Sequence, residues 1–186
     1  MPSVAQPRIT TRTGDDGTTG RLYGERVSKD SPVIEANGEV DEAQAVLGVA
    51  RAEAEPGSEL DALLVTVERD LYVLMAEIAT PAHARERLVP GSTIVTEEMV
   101  LALEARMEGI LGRVEMPREF VIPGQGRLPA LLDQARTVVR RAERRVVAAH
   151  LPAESRVLRY LNRLSDLLWA VARWQEGEHM SARRAK

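Results

Sequence analysis

Five arginines lie within ten residues of one segment and are the clearest chemical feature of the sequence. They are Arg136, Arg140, Arg141, Arg144 and Arg145, with Glu143 as the only counter-charge among them. A guanidinium group donates a planar fork of hydrogen bonds that matches a carboxylate or a phosphate. Like charges one helical turn apart repel, so the cluster needs an acidic partner. Two interpretations stay open: a phosphate-binding surface, or a solvated helix face with ordinary surface ion pairs.

The segment from Thr11 to Gly20 is a second candidate, because it combines glycines, threonines and two aspartates. Glycine lets backbone N–H groups approach an oxyanion, and threonine hydroxyls add donors. Asp15 or Asp16 offers a ligand for a metal ion or a ribose hydroxyl, and Lys29 follows near enough to reach the same anion. The segment lacks the Gly-Lys-Ser/Thr ending of a P-loop, so it matches no standard nucleotide motif. Composition alone favours a flexible loop.

Two further sets of polar side chains fall on predicted helices. Asn162, Asp166 and Arg173 form a polar strip, and Asn162 and Asp166 lie one turn apart. Taken alone, this helix indicates a polar pair that fixes the register of a bundle. Asp41 lies among apolar neighbours, where a carboxylate normally needs a cationic partner. We expect an arginine of the 128–150 segment to be that partner.

Helical periodicity dominates the chain from Val33 onward. Proline and glycine separate the periodic segments, so the predicted helices run over about 33–55, 59–79, 96–112, 128–150 and 153–177. No alternating pattern indicates a strand, and the predicted fold is therefore all-α, an up-down five-helix bundle with a long irregular N-terminal ligand-binding segment. A single domain covers 1–186, with the irregular segment over 1–31, the bundle over 32–178 and a flexible tail over 179–186.

Composition excludes several classes of protein. The chain has 186 residues, no cysteine, three histidines and a net charge of −3, so thiol chemistry and cysteine-ligated metal sites are excluded. The charge is too near neutral for a general nucleic-acid binder, and no apolar run approaches the ~18 residues that cross a bilayer. The N-terminus has no export or transit pattern, so we expect a cytoplasmic protein that binds neither nucleic acid nor membrane.

Five sequence blocks, taken in order, resemble the PduO-type ATP:cob(I)alamin adenosyltransferases, also called corrinoid adenosyltransferases. The blocks are TRTGDDGTTG, GEVDE, FVIPG, ARTVVRRAERRVV and YLNRLSDLLW. They extend from about residue 9 to residue 175 and are far more specific than one glycine-rich loop. The chain departs from the family pattern at Gln125 within the usual Pro-Gly-Gly, at Asp133 in place of a frequent histidine, and at Trp169 in place of a commoner phenylalanine.

The resemblance implies that ATP, accompanied by Mg²⁺, donates its 5′-deoxyadenosyl group to the cobalt of cob(I)alamin and releases triphosphate. It implies a homotrimer with active sites between neighbouring subunits. The residues expected to contact ATP are Thr11, Arg12, Thr13, Gly14, Thr19, Lys29, Arg140, Arg141, Glu143, Arg144 and Asn162. Asp41 and Arg136 are expected to form a salt bridge on the corrinoid side, and Phe120 to occupy the lower face of the corrin and displace its axial ligand. The expected catalytic residues are therefore Arg136, Arg140, Asp41 and Phe120.

The resemblance also implies protein partners, namely a flavoprotein reductase that supplies the electron for cob(I)alamin and an adenosylcobalamin-dependent mutase that receives the product. Two other hypotheses remain. One is a nonenzymatic nucleotide- or corrinoid-binding module, which ATP binding without product would favour. The other is a helical interaction protein whose arginines form surface pairs, which an absence of ATP binding would favour.

Overall fold

The computed structural model describes residues 10–115, 117–178 and 180–183. Within these residues the chain forms five long helices, α1 (Pro32–Ala52), α2 (Glu59–Ala79), α3 (Glu97–Leu111), α4 (Arg127–Ala148) and α5 (Val157–Glu176). A short 3-10 helix, Ala82–Arg87, lies in the connector between α2 and α3. The predicted all-α class is confirmed, and the bounds of α2 are those predicted.

Local sequence explains where two of these helices begin. The hydroxyl of Ser58 accepts a hydrogen bond from Asp61 N at 3.2 Å, and that of Thr96 accepts one from Met99 N at 3.4 Å. Each bond satisfies a backbone donor that the first helical turn leaves free. Proline at the first position of α1 has the backbone angle that a helix start requires.

The core is built from one buried stripe on each helix, packed into a single cluster. α1 packs between α2 and α4, and α5 packs between α3 and α4. Side chains that are almost completely buried at the centre include Leu47, Leu64, Leu71, Leu132, Val139, Leu161, Leu164 and Leu168. In the described residues none of the helices has the length and hydropathy that crossing a bilayer requires.

Ion pairs show that α1 and α4 run antiparallel. Arg127 Nη2 lies 3.2 Å from Glu53 Oε1 at one end of the pair, and Arg145 Nη2 lies 3.4 Å from Glu35 Oε1 at the other. Because α4 has 22 residues and rises 1.5 Å per residue, it is about 33 Å long. The segment before α1 and the segment before α4 therefore lie at opposite ends of the bundle.

The prediction that the chain has no strand is wrong for the N-terminal segment. Strands β1 (Thr18–Gly20) and β2 (Arg26–Ser28) pair antiparallel and form what we call the N-terminal hairpin. Strands of three residues are too short to show an alternating pattern. The turn between them depends on Tyr23 and Gly24, both at positive φ (68° and 103°). A positive φ is uncommon for tyrosine, so sequence pattern gave no sign of this turn.

The start of α5 also differs from its prediction. The helix begins at Val157 rather than near 153, because Ser155 N bonds back to Pro152 O at 2.9 Å in a turn. Arg156 lies at the boundary and donates from Nε to Glu97 Oε2 at 2.9 Å, which joins the start of α5 to the first turn of α3.

Candidate active site

Backbone hydrogen bonds close the predicted anion-binding loop. Gly17 N donates to Gly14 O at 3.3 Å, and Lys29 N donates to Gly17 O at 2.9 Å. A Cβ atom added at Gly14 would lie only 3.1 Å from Lys29 Nζ and equally close to the Thr18 carbonyl oxygen. The structure thus brings the Lys29 ammonium to this loop, as expected from the sequence, and leaves no room there for a larger residue.

Arg26 organises the same loop, although sequence reasoning missed it. Its Nη2 donates to the Thr13 carbonyl oxygen at 2.5 Å, and its Nε donates to Thr18 Oγ1 at 3.1 Å. Asp16 Oδ1 accepts from the hydroxyl and the backbone N–H of Thr18, at 2.7 and 2.9 Å. The hydroxyl bond is the main cause that holds the pKa of Asp16 below its usual value. Asp16 therefore shapes the turn, and both Asp15 and Asp16 are exposed.

The other predicted ATP contacts of this segment lie beside the loop. Thr11 and Thr13 are exposed, and their Oγ1 atoms are 3.0 Å apart. Arg12 is exposed between them at a φ of 60°, and Thr19 pairs with Val27 in the hairpin. The structure therefore brings all six predicted residues of the N-terminal segment into one small region.

The N-terminal hairpin contacts the bundle at the carboxyl end of α2. Arg21 Nε and Leu22 N both donate to the Ala79 carbonyl oxygen, at 3.3 and 3.1 Å. The Tyr23 ring lies under the Arg87 guanidinium, with 3.9 Å between Arg87 Cζ and the ring centroid. These contacts satisfy a free helix-end carbonyl and fix the hairpin at the end of the bundle where α4 finishes.

Four of the five arginines in the α4 cluster form two pairs, and the first pair, Arg141 and Arg145, bonds with α1. Arg141 Nε lies 2.5 Å from Glu39 Oε2, and Arg141 also bonds to Glu42. The bonds to these two glutamates, with Glu42 the larger cause, raise the pKa of Arg141 further above its usual value. Arg145 pairs with Glu35. For these two arginines the ion-pair interpretation is correct.

The second pair, Arg140 and Arg144, is exposed and has no ion-pair partner in the described part of the chain. Arg144 Nη1 donates to the Arg140 carbonyl oxygen at 3.0 Å. Beside them Glu143 Oε1 accepts from Asn162 Nδ2 at 3.1 Å, which links α4 to α5. Asn162 therefore pairs with Glu143, and not with Asp166, which is exposed. This face of α4 offers two free guanidinium groups to an anion.

The loop between α3 and α4 carries the only phenylalanine at the mouth of a cleft. Phe120 is 90% exposed. The cleft has a volume of about 610 Å³, and we call it the Phe120 cleft. Its wall and floor include Pro117, Pro123, Asp133, Arg136, Trp169 and Arg173.

The end of the chain pairs with the Phe120 loop. Ala182 N donates to the Phe120 carbonyl oxygen at 2.8 Å, and Ile122 N donates to the Met180 carbonyl oxygen at 2.9 Å. Residues 180–183 belong to the predicted tail. The backbone of residues 180–182 pairs with this loop, and the flexibility of the tail stays a prediction. The rest of the predicted tail, 179 and 184–186, lies outside the described residues.

Charged side chains under the cleft form a chain of alternating sign that we call the Asp133 network. Asp133 Oδ1 lies 3.2 Å from Arg136 Nε, Asp133 Oδ2 accepts from Arg173 Nη2 at 2.6 Å, and Arg173 Nε lies 2.8 Å from Glu176 Oε2. Arg173 is only 3% exposed. Arg173, which the sequence places in a polar strip with Asn162 and Asp166, is therefore buried and paired, whereas Asp166 is exposed. The position of Arg173 between Ala172 and Trp174 in a helix of mostly apolar residues was a sign of burial.

The expected arginine partner of Asp41 is not found among the described residues of this chain. Asp41 is exposed, because the buried stripe of α1 runs through Val40 and Ala43 and turns Asp41 outward. Arg136 pairs with Asp133 instead. In the part of the chain that the structure describes, Asp41 has no salt bridge, and the idea that it is a buried carboxylate is wrong.

The described residues contain no group of three His, Asp or Glu side chains that could hold a metal ion. They instead offer a glycine-rich loop with a lysine, two free arginines on α4, and a large cleft with an exposed aromatic ring. Such a set can bind an anionic ligand and a large planar one.

The chain is similar to known proteins over most of its length. The family described as cobalamin adenosyltransferase matches residues 9–175. The corrinoid adenosyltransferase PduO of Citrobacter freundii is 38% identical over 170 residues, which are 90% of this chain and 50% of that protein. A corrinoid adenosyltransferase of Bacillus subtilis is 40% identical over 171 residues, 89% of this chain and 85% of that protein. The chain thus spans about half the length of the PduO relative.

Solved structures with the same fold were also found. A variant PduO-type ATP:corrinoid adenosyltransferase from Lactobacillus reuteri, complexed with cobalamin and ATP, superimposes with a TM-score of 0.85. It is 29% identical, and the match covers 95% of this chain and 100% of that one. A second variant of the same enzyme, complexed with ATP, has a TM-score of 0.83 at 28% identity and covers 94% of this chain.

Proposed function

This chain belongs to the cobalamin adenosyltransferase family, and we propose that it transfers the 5′-deoxyadenosyl group of ATP to the cobalt of cob(I)alamin. A bond forms between cobalt and C5′ with the electron pair of cobalt, and the C5′–O bond breaks to release triphosphate. The nucleophile belongs to the corrinoid substrate. The protein therefore needs no side-chain nucleophile, which agrees with a chain that has no cysteine.

The observation that carries this proposal is the exposed ring of Phe120 at the mouth of a 610 Å³ cleft. Full burial of a phenylalanine side chain contributes about 1.5–3 kcal/mol of favourable free energy. The folded chain leaves this ring exposed, so a ligand that covers it can bind with that free energy. A flat apolar ring suits the lower face of a corrin. There it would displace the axial ligand and favour a four-coordinate cob(II)alamin that accepts an electron more easily, since the axial environment tunes such a cofactor.

The proposed triphosphate site combines the N-terminal loop with α4. Lys29 beside Gly14 supplies one positive charge, and exposed Arg140 and Arg144 supply two more. Charge that develops on a leaving triphosphate is stabilised most by cations that are already in position. Arg141 would bind a phosphate only by leaving its two glutamates, so Arg140 and Arg144 are the stronger candidates. Glu143 and Asn162, bonded to each other, would line the same site.

We propose that the site is completed by a second subunit, in a homotrimer. The hairpin loop and the Phe120 loop of one chain lie at opposite ends of a helix of about 33 Å, whereas the reacting atoms must come within about 3.5 Å. A neighbouring chain can supply the missing half. Exposed Asp41 is then free to pair with a neighbour's arginine, and the expected Asp41–Arg136 salt bridge becomes a proposal for the contact between subunits.

Mg²⁺ enters the proposal only with the nucleotide, whose oxygens are its usual ligands. Because the described residues form no carboxylate cluster for it, no protein-built magnesium site is proposed. The partners inferred from the family, a flavoprotein reductase and an adenosylcobalamin-dependent mutase, and the cytoplasmic location remain predictions.

An anaerobic assay with ATP, Mg²⁺ and chemically reduced cobalamin tests the activity directly. We expect adenosylcobalamin and free triphosphate in equal amounts, and neither product when ATP is replaced by a non-cleavable analogue. Calorimetry separates the other two hypotheses. Binding of ATP without product would indicate a nonenzymatic binding module, and no binding of ATP would indicate a helical interaction protein.

A further inference from the structure

We propose that Asp133 is a positioning residue that fixes Arg136 at the wall of the Phe120 cleft and thereby sets the affinity for the corrinoid. This inference rests on the proposed function, and it concerns a side chain for which the family resemblance gives no role. Asp133 even departs from the histidine that is frequent at its position. Its importance follows from its contacts and burial in this chain.

Asp133 divides its two carboxylate oxygens between two arginines. Oδ1 is 3.2 Å from Arg136 Nε on the same helix, and Oδ2 is 2.6 Å from Arg173 Nη2 on α5. Asp133 is 5% exposed and Arg173 3% exposed, so neither can turn away into water. Arg136 keeps about a quarter of its side chain exposed and is therefore the member of the network that a ligand in the cleft can reach.

Glu176 is the fourth member of the Asp133 network. Its side chain is almost completely buried, and neither carboxylate oxygen has a hydrogen bond in the described structure. Glu176 Oε2 nevertheless lies 2.8 Å from Arg173 Nε, so it acts on Arg173 through charge. The network contains two positive and two negative groups, so the charges of its four members cancel.

A buried ion network is weak evidence for stability, because removing ions from water offsets most of their attraction. We infer instead that the network has a geometric role, which is to hold the Arg136 side chain in one position. Without the Asp133 charge, Arg136 and Arg173 face each other as like charges, and Arg136 turns outward into the space that the corrinoid would fill. The expected effect is on the corrinoid more than on ATP, because Arg140, on the ATP side, takes no part in the network.

The test compares Asp133→Asn with Glu77→Gln. Glu77 is a matched control, since it is completely buried, bonds to Arg85 at 3.0 Å, and lies at the other end of the bundle. Corrinoid and ATP affinities are measured by calorimetry, and KM values by the adenosylation assay. We expect D133N to weaken corrinoid binding and to raise the KM for the corrinoid, each about tenfold or more. The affinity and the KM for ATP should change less than about threefold. E77Q should lower thermal stability and leave the corrinoid affinity unchanged.

The inference is overturned if D133N binds the corrinoid as the wild type does, or if E77Q weakens that binding equally. If D133N does not fold, Arg173→Lys replaces it, because lysine keeps the charge but loses the fork that joins Asp133 to Glu176. R173K should weaken corrinoid binding at least threefold, and an unchanged affinity would refute the inference. Wild-type protein that binds corrinoid but makes no product would refute the proposed function alone, because the affinity comparison remains valid.

Discussion

Replacing Phe120 by alanine should separate stability from function more cleanly than any other substitution in this chain. The ring is 90% exposed, so the folded chain buries almost none of it. Substitutions of such surface side chains change the free energy of unfolding by less than about 0.5 kcal/mol. We therefore expect the thermal midpoint of F120A to match that of the wild type.

The effect on the corrinoid should be large, because the ligand would bury what the chain leaves exposed. Complete burial of a phenylalanine contributes about 1.5–3 kcal/mol. Since each 1.4 kcal/mol is a tenfold change in affinity, corrinoid binding should weaken about 10- to 150-fold. ATP affinity should stay the same, because Phe120 carries no charge and is not among the proposed triphosphate contacts, Lys29, Arg140 and Arg144.

The spectrum of cob(II)alamin bound with ATP is the decisive measurement, since it distinguishes four-coordinate from five-coordinate cobalt. F120A should lose the four-coordinate signal, whereas Phe120→Leu, which keeps an apolar side chain, should retain part of it. An unchanged spectrum in F120A would refute the axial-ligand argument. A loss of more than 1 kcal/mol of stability would show that the ring packs against the chain after all.

Three further predictions concern the α4 arginines, the Phe120 loop and the stability of the bundle. Arg140→Ala should lower kcat/KM about 10- to 150-fold without lowering stability, because it removes one charge-assisted hydrogen bond of about 1.5–3 kcal/mol. Arg141→Ala should lower stability, because it breaks two ion pairs. The reverse pattern in a thermal scan would contradict both assignments. Ala182→Pro removes the N–H group that donates to the Phe120 carbonyl oxygen. Hydrogen exchange in the Phe120 loop should therefore accelerate, and the KM for the corrinoid should rise about 2- to 10-fold. The control Ala182→Ser keeps the N–H group and should behave as wild type. Burial raises the pKa of Asp70, so the folded chain binds the proton of this carboxyl group more tightly than the unfolded chain does. The free energy of unfolding should therefore fall as pH rises from the ordinary to the raised pKa of Asp70. In urea titrations at several pH values Asp70→Asn should remove this fall, and an unchanged pH dependence would show that Asp70 is not its source.

The helical periodicity of apolar residues, and the prolines and glycines between the periodic segments, were sufficient to predict the bundle. The apolar spacing of α2, with Ser58 before it and Pro81 after it, determines both ends of that helix. The N-terminal hairpin was not predictable in the same way. Its strands have three residues each, and the turn depends on positive φ at Tyr23, a conformation that nearby sequence does not favour.

Side-chain pairing was the part of the site least accessible to sequence. Spacing identified the α4 arginines, but all of them have the same type and similar intervals. Only the packing of α1 distinguishes Arg141, which meets Glu39 and Glu42, from Arg140 one residue earlier, which meets neither. Likewise, Asp133 becomes meaningful only because α5 brings Arg173 against it, 40 positions later in the chain.

The position of Arg136 and Arg140 on one helix explains how the two substrates could meet. These residues are one turn apart, about 6 Å along the helix axis. Arg136 lines the Phe120 cleft, and Arg140 is free to bind an anion. α4 therefore joins the wall of the proposed corrinoid site to the proposed triphosphate site within one rigid element. The glycine-rich loop of the same chain lies beyond the far end of that helix, so we propose that the loop that closes over both substrates at this turn comes from a neighbouring subunit.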